Sequence, residues 1–100
     1  MPQIRVETPH SLGRETARQR LQDKFDEVYA QFGSHVDDLQ QQWDDHRLTF
    51  SFRVTGMNVR GTLAVAEASV SVSADLPFPA MFFKGTIEQR IREELGKILA

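Results

Sequence analysis

Few side chains in this chain are equipped for catalysis. The histidines are His10, His35 and His46, and cysteine is absent, which removes thiolate nucleophiles and thiolate metal sites. His35 with Asp37 and Asp38, together with Asp45 and His46, has the donor types that bind a divalent cation. These residues sit in a turn and along a strand margin, so they read as solvated groups that discourage edge-to-edge pairing. Ser69, Ser71 and Ser73 alternate with apolar residues on the polar side of a strand, and no histidine stands nearby in sequence to activate them. Asp44 and Asp45 lack the apolar surroundings that acid–base work by paired carboxylates requires. Gly56 and Gly61 flank a strand-like run rather than a strand-to-helix phosphate loop. The expectation is a protein that is not an enzyme, with no catalytic residues, no metal and no cofactor.

Binding chemistry is better represented. Three of the seven phenylalanines and one of the three methionines fall within residues 78–83, in a loop that Pro77 and Pro79 keep out of any sheet. One reading makes Phe78, Met81, Phe82 and Phe83 an exposed tip that meets a polymer or lipid-like surface. The other has Phe82 and Phe83 open the last helix and cap the core. Neighbouring helical side chains point about 100° apart, so two adjacent rings rarely both bury. Trp43, Phe50, Phe52, Leu63, Ile87 and Ile91 are core positions first. They also predict the border of an apolar ligand cavity between a sheet and the last helix.

The elements that position these groups follow from hydrophobic period. Ile4 and Val6 alternate with Gln3, Arg5 and Glu7 in a short first strand that Thr8-Pro9-His10 ends. Ser11 is the expected N-cap of a helix whose stripe runs through Ala17, Leu21, Phe25, Val28, Tyr29 and Phe32. Gly33 is placed to end it in the left-handed conformation. Leu39, Gln41 and Trp43 share a strand face, and Asp44-Asp45-His46 turns the chain. Three period-two runs follow, through Leu48–Val54, Val59–Val65 and Val70–Leu76, joined by short links as in an antiparallel meander. Ile87, Ile91, Leu95, Ile98 and Leu99 then give a final helix with Thr86 as its N-cap. The predicted architecture is a two-layer α+β sandwich of order β-α-β-β-β-β-α. Its five-stranded antiparallel sheet carries both helices on one face, with the first strand beside the fifth in the order 2-3-4-5-1.

Composition sets the limits. One hundred residues, 40% apolar and 26% charged, are enough for one self-supporting core spanning residues 1–100. A net charge of −2, with Arg47 against Asp37, Asp38, Asp44 and Asp45 as the one acidic cluster, argues against nucleic acid as a partner. MPQIRVETPH has no apolar h-region and no run approaches a transmembrane length, so the expected location is cytoplasmic.

Three stretches resemble a known family. PHSLGRETAR at the start, MNVRGTLAV in the middle and LPFPAMFFKGTIEQRIREEL at the end are similar to the polyhydroxyalkanoic acid system family. Those are short proteins encoded beside polyhydroxyalkanoate synthesis and granule genes in proteobacteria. The resemblance covers roughly residues 3–99. It implies an accessory protein of polyester storage granules, partnered by the granule surface or granule proteins, and transfers no catalytic residue. The element order is also reminiscent of a minimal helix-grip fold, the arrangement of START-type lipid carriers, an analogy at the level of fold alone. Three functions remain open at this point: a granule-associated accessory protein, a small binding module for an apolar acyl or lipid-like ligand, and a homodimer formed through the sheet edge or polar face.

Overall fold

A computed structural model describes residues 3–54 and 56–100, with the side chains of Phe32, His35 and Phe78 outside that description. Strand β1 (Gln3–Pro9) leads to helix α1 (Arg14–Phe32) and a short 3₁₀ turn at Gly33–His35. Strands β2 (Asp37–Asp44), β3 (Arg47–Val54), β4 (Met57–Val65) and β5 (Ser69–Asp75) then form a meander. A 3₁₀ segment, Phe78–Phe83, runs directly into helix α2 (Lys84–Ile98). The sheet order is β1-β5-β4-β3-β2 with every neighbouring pair antiparallel, as the alternation predicts.

Register explains the two faces. Val6, Val72, Leu63, Leu48 and Trp43 lie opposite one another in a single row across all five strands. The first four are buried, and Ala17 and Leu21 of α1 with Leu95 of α2 pack onto this row to make the main core. Ile4, Ala74 and Leu76 form a second cluster, covered by Ala80, Ile87 and Ile91. Each large apolar side chain is worth roughly 1.5–3 kcal/mol when fully withdrawn from water. The opposite sheet face bears no helix among the described residues. Its rows read Arg5-Ser73-Thr62-Thr49-Gln42 and Glu7-Ser71-Ala64-Arg47-Asp44, mostly polar side chains suited to water.

Several local expectations are corrected. β1 does not break at Thr8 but continues to Pro9, which pairs with Ser69. Proline is tolerated there because β1 is an edge strand, where a missing amide donor costs the ladder nothing. Gly13, not Ser11, is the N-cap of α1, at φ 81°, where a side chain would strain the backbone. Gly33 stays right-handed at φ −59° and passes the chain into the 3₁₀ turn instead of ending it in the left-handed region. Thr86 lies inside the first turn of α2, whose N-cap is Phe83. The β3–β4 turn carries Gly56 at φ 79°.

The outer edge of β1 is guarded from the other end of the chain. The outward amide of Arg5 donates to the Glu88 carboxylate of α2 at 3.0 Å. That bond occupies a donor a second strand would otherwise seek.

Candidate functional site

The aromatic residues singled out from the sequence separate into three places. Met81, Phe82 and Phe83 form the first. Phe82 is 76% exposed, Phe83 62% and Met81 40%, so neither ring caps the core. They stand on a 3₁₀ segment rather than an irregular loop, with Pro77 at φ −62° entering it and the Ala80 amide bonded to the Pro77 carbonyl at 2.9 Å. Buried Leu76 on one side and half-buried Ala80 beneath hold that segment to the Ile4–Ala74 cluster. The rings are therefore presented to solvent by an anchored support. The Phe78 backbone belongs to the same segment, and its side chain lies outside the described residues.

The second place is an apolar cleft of about 490 Å³ between α1, α2 and the sheet. Leu63 and Val72 line its sheet side, Leu21, Phe25 and Val28 come from α1, and Ile91, Leu95 and Ile98 come from α2. Of the predicted cavity border, Phe50, Leu63 and Ile91 meet here. Trp43, Phe52 and Ile87 do not. Phe52 borders a neighbouring hollow of about 170 Å³ under the end of α1, which shares Phe25, Val28 and Phe50 with the cleft. The Phe25 and Phe50 rings, 6.1 Å apart at 47°, line both spaces. Ile87 packs into the second core cluster. The stripe of α1 accounts for the opening. Ala17 and Leu21 bury fully, but farther along the same stripe Val28 is 40% exposed and Tyr29 52%, so the cleft stands between α2 and this part of α1.

Trp43 belongs to a third, polar arrangement. The Arg18 guanidinium lies over its ring at 4.7 Å and donates through Nε to the Asp45 carbonyl at 2.8 Å. Beside it, His46 sits between the carboxylates of Glu15, reached through Nε2, and Asp45, 3.1 Å from Nδ1. Together these contacts fasten the start of α1 to the β2–β3 turn. Among the described residues no group of three or more His, Asp or Glu side chains is placed to hold a metal ion. The side chain of His35 lies outside those residues.

His10 is a residue that sequence reasoning leaves without a role. The Leu12 amide donates to its Nδ1 at 3.2 Å, so that nitrogen is the acceptor and Nε2 carries the proton. Nε2 then donates to the Ala66 carbonyl at 3.0 Å, and the His10 amide donates to the Ala68 carbonyl at 2.9 Å. The imidazole clasps the β1–α1 link to the β4–β5 turn, with both nitrogens engaged in structure. No spacing along the chain signals the tie to the β4–β5 turn, because Ala66 lies 56 residues from His10.

An α+β sheet-and-helix protein with an aromatic tip, an open apolar cleft, and His10 and His46 bound into structural contacts is the class these features define. The chain belongs to the family whose provisional description is polyhydroxyalkanoic acid system protein, and that family's model matches residues 4–99. No curated protein and no solved structure matches it. The family description names a polyester system and no reaction. No helix among the described residues is long and apolar enough to cross a membrane.

Proposed function

We propose that this protein is a non-enzymatic accessory factor of polyhydroxyalkanoate storage, docking on the apolar granule surface through Phe82, Phe83 and Met81. The observation that carries this reading is the exposure of two adjacent phenylalanine rings on an anchored 3₁₀ segment. Isolated exposed apolar residues are ordinary, but adjoining rings held out by a fixed support concentrate apolar surface at one point. The other family-like stretches have structural uses that explain their residues. Pro9, His10 and Gly13 shape and tie the entry to α1, and Gly61 lies beneath a ring of β3. Phe82 and Phe83 bury too little to be explained that way.

The test is co-sedimentation with artificial poly(3-hydroxybutyrate) particles, bare and phospholipid-coated. Phe82→Ser with Phe83→Ser is expected to keep the wild-type melting temperature and lose binding to the particles. Failure of folded wild type to bind bare or coated particles would sink direct docking. A collapse in melting temperature in the double variant would return both rings to the core.

A further inference from the structure

We propose that the cleft between α1 and α2 binds one medium-chain alkanoate, its hydrocarbon chain lying against Leu63 and Val72 and its carboxylate held at the lip by Lys24 and Arg90. The site is separate from the aromatic tip and stands whether or not the protein docks on granules.

Shape and charge choose the occupant. A volume of about 490 Å³ lies within the roughly 300–1,000 Å³ of small-ligand sites, and the lining is apolar except for Lys24, Arg90 and Glu94. Lys24 comes from α1 and Arg90 from α2, so the two cations reach the opening from different helices. Their ion pairs among the described residues stay within their own helices, Lys24 with Glu27 at 3.6 Å and Arg90 with Glu94 at 3.4 Å. Lys97 shares Glu94 at 3.7 Å. Exposed pairs of this kind are weak and exchange partners readily. Within the lining itself Lys24 and Arg90 face one carboxylate, Glu94, so the wall of the cleft carries one net positive charge, which a single bound carboxylate neutralises. A neutral or cationic amphiphile has no such match.

Arg20 donates to the carbonyl of Ile98 at 3.3 Å and to that of Ala100, tying the end of α2 to α1. From Arg90 to Ile98 the helix rises about 12 Å at 1.5 Å per residue, the reach of a chain of about eight to ten carbons.

A dansyl-labelled fatty acid titrated into the protein reports occupancy by fluorescence, and decanoate, decanol and decylammonium compete for it. Decanoate is expected to displace the probe up to about fivefold more effectively than decanol, the most that one exposed charge contact supplies. Lys24→Glu with Arg90→Glu should erase that advantage and leave decanol unchanged, without threatening the fold, since both side chains lie at the surface. Val28→Trp at the exposed lip should weaken all three competitors. Equal competition by decanoate and decanol in wild type, an advantage that survives charge reversal, or no binding of the probe would each overturn the proposal. Self-association abolished by Val28→Trp would give the cleft to a second copy and overturn it as well. Phe82→Ser with Phe83→Ser is expected to leave decanoate affinity intact, so failure of this site and failure of granule docking are read separately.

Discussion

Phe50 lies directly opposite Gly61 across the β3–β4 ladder, and its ring occupies the space that a side chain at position 61 would need. A Cβ on Gly61 would stand 2.6 Å from Phe50 Cζ, 2.7 Å from the Ser73 carbonyl oxygen and 3.0 Å from Ala74 Cβ. The ring can turn aside, but the Ser73 carbonyl belongs to the β4–β5 backbone and cannot. Gly61→Ala is therefore expected to cost about 1–3 kcal/mol by overpacking. Adding Phe50→Leu should recover part of that loss and not all of it. Thermal unfolding of the two single variants and the double variant checks this, and strict additivity would show that the ring is not what Gly61 accommodates.

Leu95 and Ile91 stand one turn apart on α2 and both line the cleft, yet Leu95 is buried in the main core while Ile91 keeps part of its surface in solvent. Leu95→Ala should cost about 2–5 kcal/mol, enough to threaten so small a protein. Ile91→Ala gives up less buried surface and should cost about 1–2 kcal/mol. Denaturant unfolding decides between them. Equal losses would mean that the cleft is closed in solution.

That contrast marks what the sequence could and could not reveal. Alternation in Leu48–Val54, Val59–Val65 and Val70–Leu76 specifies strands with one wet face, and Ile4 and Val6 require β1 to join the sheet without dictating its neighbour, which is β5. The stripe of α1 reads as uniformly apolar, although only Ala17 and Leu21 of it are fully buried among the described side chains. Burial depends on where neighbouring elements pack, which period alone does not contain. Hence period does not reveal whether the space between sheet and last helix is filled or open, and of the six border residues Phe50, Leu63 and Ile91 line the cleft while Trp43, Phe52 and Ile87 are drawn elsewhere. Trp43 reads from its alternation as an inner-face residue, but Arg18, its stacking partner, lies on another element far upstream with nothing in sequence to link them. Proline likewise hides the last residues of β1, since an edge position makes Pro9 acceptable where a central strand would not.

Thr8 is the polar residue this extended strand carries inward. It pairs with Val70 and points to the helix side, and its buried Oγ1 finds no hydrogen-bond partner among the described residues. Desolvating a hydroxyl without replacing its bond is unfavourable, whereas a methyl group in the same space loses nothing. Thr8→Val matches the side chain in shape and raises strand preference. The expected gain is about 1 kcal/mol, which for a chain of this length is about 4–8 °C in melting temperature. Calorimetry on the two proteins under identical conditions measures it. A lower melting temperature in the valine variant would mean that the hydroxyl is engaged in solution.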